Sequence, residues 1–183
     1  MSPKSMIQAK KKEFNLEGLN IDNADEVTDF VNRNASNDEE KTELWLEISK
    51  KAIKESGMKK WGTKKWKVDG DIEWGFNKKN GRLVIKGKGP LEDYAYGSKT
   101  SQMKDYERWD DSPWRKKYRD QIISVVICYG VSSIGKHAFF VCDNLKSVVL
   151  PFSVTSIGEE AFALCGFSSI KIPSSVVSLG VNP

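Results

Sequence analysis

The chain has 183 residues, of which 39% are hydrophobic and 30% charged, a balance that excludes wholesale disorder. No run approaches the roughly 18 apolar residues of a bilayer-crossing helix, so no membrane span is expected. The formal net charge of +4 directs attention to acidic partners, since a positive field speeds encounter with a negative surface.

Residues 1–22 form a basic segment. Lys10, Lys11 and Lys12 stand in a row, with few apolar anchors besides Phe14, Leu16, Leu19 and Ile21. This reads as an extended arm that orders on a partner. The first fourteen residues carry the charge of a signal peptide without its apolar stretch of about 7 to 15 residues. The chain is therefore expected to keep its N-terminus and stay in the cytoplasm. Cys128, Cys142 and Cys165, an odd number, fit a reducing compartment better than a disulfide framework.

Residues 23–58 predict a helical hairpin. Asn23 with Glu26 and Asn37 with Glu40 have capping-box spacing, and Gly57 supplies a C-terminal cap. Val27, Phe30 and Val31 share a face of the first helix; Leu44, Trp45, Ile48 and Ala52 share one of the second.

Residues 61–120 hold five of the six tryptophans and predict a tryptophan-rich β cap. Asp71–Phe76 and Arg82–Lys86 flank a turn ending in Asn80-Gly81, a strong hairpin signal. The run from Asp105 to Trp114 offers Asp105, Glu107, Asp110 and Asp111 among aromatics. It is read first as a cover for the open end of the C-terminal third, and second as a calcium or sugar site.

From residue 122 the sequence repeats, first after 23 residues and then after 22. Ile122, Leu145 and Phe167 correspond, as do Val125, Val148 and Ile170, and Ile127, Leu150 and Ile172. That block predicts a strand with alternate positions facing a core. Val131, Val154 and Val176 come next, then Ile134, Ile157 and Leu179, then Gly135, Gly158 and Gly180, the glycine expected to let the chain swing away from the core. Ala138-Phe139 equals Ala161-Phe162, and Cys142 equals Cys165. A period of 20 to 29 residues with one strand per unit is a leucine-rich-repeat coil.

The unit Val-x-Ser-Ile-Gly-x-x-Ala-Phe-x-x-Cys-x-x-Leu-x-Ser-Val-x-Leu-Pro, from Val131 to Pro151, resembles the BspA-like leucine-rich-repeat family. Trp74, Arg82–Gly89 and Trp114 resemble the leader that precedes that family's first repeat. Together the resemblance covers about residues 71–183, and it implies adhesion or protein binding with no catalytic residues. The chain departs from the family pattern in having two to three coils, no secretion signal and a helical extension.

No catalytic chemistry is expected. The one histidine, His137, has Glu160 as its repeat equivalent, so the coil does not require an imidazole there. No nucleophile and base can be paired. Cys142 and Cys165 should stack on adjacent coils, and buried free thiols are the reading preferred to a disulfide. No metal-ligand spacing is present, no cofactor is expected, and nucleic acid is not expected despite the lysines interleaved with tryptophan at 59–67.

The expectation is an α+β protein: an N-terminal helical hairpin (23–58), a tryptophan-rich β-hairpin cap (61–120) and a short C-terminal leucine-rich-repeat solenoid (121–183). Its expected role is non-catalytic scaffolding in an intracellular, cytoskeletal or ciliary assembly. The expected partner is a protein with an acidic surface or an acidic polymer such as tubulin, met by Lys10, Lys11, Lys12, Phe14, Trp61, Trp66, Trp109 and Trp114. The alternative is a cell-surface adhesin for host protein or glycan.

Overall fold

The structure, a computed structural model, describes residues 12–57, 62–65, 71–94 and 112–183. Helices α1 (Ala24–Asn34) and α2 (Asp38–Glu55) begin at Asn23 and Asn37, whose side chains accept from the Asp25 and Glu26 amides and from the Glu40 amide respectively. The reciprocal arm of each capping box differs from expectation. Glu26 takes the amide of Asn20, and Glu40 that of Ser36, rather than the caps' own amides. Gly57, at φ 63°, ends α2 in the left-handed region that glycine tolerates best.

Strands β1 (Gly62–Lys65), β2 (Asp71–Asn77) and β3 (Arg82–Gly87) are antiparallel neighbours. The chain then changes to parallel pairing: β3 lies beside β5 (Ser124–Ile127), and β5 beside β7 (Ser147–Val149). A second parallel sheet holds β4 (Gly89–Pro90), β6 (Val131–Ile134), β8 (Ser156–Ile157) and β9 (Ser178–Leu179). Register copies the repeat: Ser124 opposite Ser147, Ser133 opposite Ser156, and Ser156 opposite Ser178. Thus the hairpin extends the first sheet and the coils run between the two sheets. Short helix α3 (Arg115–Tyr118) and a 3-10 turn (Arg119–Gln121) lead into the first coil.

In two respects the repeat differs from expectation. The third block, Ser169–Ile172, forms no strand. None of Gly135, Gly158 and Gly180 has a positive φ, so freedom of rotation is not their role. A Cβ on Gly158 would come within 2.6 Å of the Lys136 amide nitrogen, and one on Gly135 within 1.8 Å of the Glu92 carbonyl oxygen. These glycines are required because successive turns of chain touch there backbone to backbone.

Between the sheets lies one core, filled by Ile72, Leu83, Ile85, Ile122, Val125, Ile127, Phe139, Leu145 and their neighbours. An aromatic file runs through it. Tyr94 packs edge-on to Trp114, Trp114 stacks on Phe139 at 5.7 Å, and Phe139 stacks on Phe162 at 5.2 Å with planes 2° apart. The Trp114 indole N–H donates to the Ala138 carbonyl at 2.8 Å, which satisfies its polar atom inside the core.

A second core lies on the opposite face of the first sheet. Val84, Val126 and Val149 project there and meet Val27 and Val31 of α1 and Leu44, Trp45 and Ile48 of α2, together with Leu19 and Ile21. The basic segment is therefore not a free arm where it is described. Leu19 is 6% exposed and Ile21 1%, because each finds apolar surface on its own chain. Arg82 adds a polar clasp: its guanidinium forms a two-pronged ion pair with Asp22, also reaches Glu55, and Asp22 accepts the Ser124 hydroxyl at 2.7 Å. The Asp22 hydrogen bonds are the main reason Arg82 holds its proton more firmly than usual.

Gly158→Ala should destabilise the protein by about 2 kcal/mol, since a backbone atom cannot yield as a side chain would; a urea midpoint equal to wild type would refute the contact. Arg82→Ala should cost about 2–3 kcal/mol by leaving Asp22 partly buried without its cation, again read from urea unfolding.

Candidate interaction surface

The surface a partner can reach is what the two cores leave over. The outer face of the first sheet is closed along β3, β5 and β7 by α1 and α2. Its closure loosens at the third coil, where Lys171 replaces the Val126 and Val149 of the earlier coils and pairs with Asp25 at 3.3 Å. A groove of about 510 Å³ opens beside it, walled by Val31, Trp45, Leu150, Phe152, Ile172 and Pro173.

The third coil is also apolar where its predecessors are polar. Val177 occupies the position of Ser132 and Thr155, and Val181 that of Lys136 and Glu159. These two valines are 87% and 71% exposed, and Leu179 beside them is 51% exposed where its equivalents Ile134 and Ile157 are 1% and 2%.

At the other end, the β2–β3 turn and α3 meet. Tyr118 stacks on Phe76 at 4.3 Å and touches Trp74 edge-on. The ammonium groups of Lys78 and Lys117 lie 5.9 and 5.2 Å from its ring centre, within cation–π range. Lys79 and Lys116, their sequence neighbours, are exposed.

Among the described residues, the one histidine and two of the cysteines are held within the fold. His137 donates from Nδ1 to the Tyr94 carbonyl at 2.7 Å and turns Nε2 to Glu160 at 3.2 Å, so one nitrogen is held by the segment before the coils and the other by the next coil. Among the described residues, no group of three or more His, Cys, Asp or Glu is arranged to hold a metal ion. Cys142 is buried and Cys165 half-buried, both as free thiols, and Cys165 donates to the Phe139 carbonyl at 3.2 Å.

Residues 117–182 match the family model described as a BspA type leucine rich repeat region of six copies. This part of the chain is a BspA-type leucine-rich-repeat region. Among solved structures, a leucine-rich repeat protein from Eubacterium ventriosum is similar at 31% identity, over 60% of this chain and 26% of that one, with a TM-score of 0.47. A leucine-rich repeat protein of T. pallidum is 18% identical, over 60% of this chain and 50% of its own, with a TM-score of 0.35. The chain thus spans about a quarter and a half of the lengths of those two proteins. No curated protein matches it.

BspA-type repeats are a protein-interaction architecture, and the expected contact residues can be placed against them. Trp114 has no exposed surface and belongs to the core; as a partner contact it is corrected, because its ring is spent on Tyr94, Trp74 and Phe139. Lys12 donates to the Asn34 carbonyl and pairs with Glu40 at 3.1 Å, while its ammonium sits 5.5 Å from the half-buried Phe14 ring. Both are engaged by their own chain. Lys10, Lys11, Trp61, Trp66 and Trp109 lie outside the described residues, as does the acidic run from Asp105 to Asp111. The sequence did not single out Lys78 with Lys117, which are distant along the chain, or Val177 and Val181. The last pair was findable by asking where the third coil breaks the polar pattern of the first two.

Burial pushes the Cys128 and Cys142 thiols up to about 12. Both should resist iodoacetamide at pH 8 in the folded protein and react on unfolding. Because the folded values lie above the ordinary thiol value of 9.0, each thiol's contribution to stability is complete below about pH 9 and declines as pH rises toward about 12. Rapid alkylation of native protein would contradict this burial.

Proposed function

We propose that this chain is a non-catalytic scaffolding protein that binds other proteins within a larger intracellular assembly. The observation that supports it most is the third coil's exchange of polar surface residues for Val177 and Val181. A stacked coil gains nothing from exposed valines at positions where two earlier coils carry Ser, Thr, Lys and Glu, whereas a protein partner gains by covering them. The positive charge suits an acidic partner, and a cytoskeletal polymer such as the microtubule, built of tubulin, is the partner class we favour.

The test restores the repeat's own residues. Val177→Thr with Val181→Glu should leave stability within about 0.5 kcal/mol of wild type, as exposed substitutions do, and should abolish retention of the full chain in a detergent-extracted cytoskeleton. Complete release of the wild-type chain into the soluble fraction would overturn the cytoskeletal reading.

The BspA-type match supports a second reading, a cell-surface adhesin for host protein or glycan. Among the described residues no helix is long and apolar enough to cross a membrane. Biotinylation of intact cells separates the readings: labelling of the chain supports display, and failure to label supports the interior.

A further inference from the structure

We infer that the lysine cluster around Tyr118 is a second docking surface, separate from the third coil, and that it takes an acidic, carboxylate-rich segment of a protein partner. The inference rests on the reading that the chain binds proteins, and adds to it a location and a ligand chemistry.

Three contacts bring the surface together from distant sequence. Lys78 and Lys117 approach the same Tyr118 ring. The Ile123 amide donates to the Gly81 carbonyl at 2.8 Å, which seats the β2–β3 turn against the segment after α3. A Cβ on Gly81 would lie 2.7 Å from the Ile123 side chain, so the two segments touch closely. The result is four exposed lysines, Lys78, Lys79, Lys116 and Lys117, beside a half-exposed Ile123 at 48%.

Most of the other described lysines are ion-paired. Lys41, Lys50, Lys51, Lys86, Lys136 and Lys171 each pair with a carboxylate. None of the four around Tyr118 makes an ion pair with a described residue, and the acid beside them, Asp120, pairs with Arg119. Like charges gathered without ion-pair partners among the described residues repel one another and raise the local potential, and a carboxylate ligand relieves that repulsion.

The platform is also set in advance. Tyr118 is fixed between Phe76 and Trp74, and two lysine side chains approach its ring, so less side-chain freedom is lost on binding than for lysines that project freely. The chemistry selects the ligand. Lysine presents a compact point charge, without the planar fork by which arginine clamps phosphate. The apolar Ile123 and the Phe76–Tyr118 stack favour a chain of carboxylates with an interspersed apolar side chain over a bare phosphate backbone.

The test uses the full chain and a fluorescein-labelled, glutamate-rich peptide carrying one tyrosine, read by anisotropy. Lys78→Glu with Lys117→Glu should weaken binding at least tenfold. Lys50→Glu with Lys88→Glu, which changes net charge equally at exposed sites elsewhere, should change it less than twofold. Lys78→Gln with Lys117→Gln, gentler on the fold, should still weaken binding about threefold. Equal losses from the two reversed pairs would overturn the inference by reducing it to net charge. It would also be overturned if the Lys78/Lys117 reversal weakened binding to single-stranded DNA of similar length, or to vesicles containing phosphatidylserine, more than binding to the peptide. If the Lys78/Lys117 variants bind the peptide as wild type does while the Val177/Val181 variant still loses cytoskeletal retention, this surface is refuted and the protein-binding reading stands.

Discussion

A parallel sheet with aliphatic side chains on both faces cannot leave either face in water, and the architecture of this chain follows from that constraint. Leu83 packs on the inner face and Val84 on the outer, and the same pairing recurs as Val125 with Val126 and Val148 with Val149. Full burial of each valine is worth roughly 1.5–3 kcal/mol, so the outer row demands a cover. Helices α1 and α2 provide it, and the Arg82–Asp22–Ser124 clasp fixes the segment before them to the same strands. On the inner face, the file Tyr94–Trp114–Phe139–Phe162 carries packing from the leader into the coils.

The consequence for function is geometric. The outer face of the repeat sheet is occupied along β3, β5 and β7 by the chain's own N-terminal helices, and the two surfaces proposed for partners, the apolar third coil and the lysines around Tyr118, lie outside that cover. Their chemistries differ, one apolar and one cationic, and they are built from different parts of the sequence. A molecule with two such surfaces suits bridging of components better than capture of one ligand.

Much of the coil was legible because its signal is redundant. Matching positions recur at 23 and then 22 residues, and the strand pairing of Ser124 with Ser147 and Ser133 with Ser156 repeats that spacing. The helix starts were legible from Asn23 and Asn37, since capping is local chemistry. The second core was not, although its signal was present. Ser-Val-Val-Ile and Ser-Val-Val-Leu are near-continuous apolar runs of the kind expected when both faces of a strand are buried, and reading them as simple alternation hid the need for a cover. The lysine surface was illegible for a different reason: Lys78 and Lys117 are joined only by the turn and helix that converge on Tyr118, a contact no local pattern encodes. The glycines were visible, but their cause was not, because a close approach between coils cannot be told from a required positive φ without the backbone.

Native-state hydrogen exchange measures most directly whether the helices and the repeat sheet form one cooperative structure. Amides of α2 around Trp45 to Ile48 and of β5 and β7 should exchange with the same free energy of opening, close to that of global unfolding. Exchange from the helices at a markedly lower free energy, with the strands still fully protected, would show that the helices detach while the sheet persists, and would contradict a shared core.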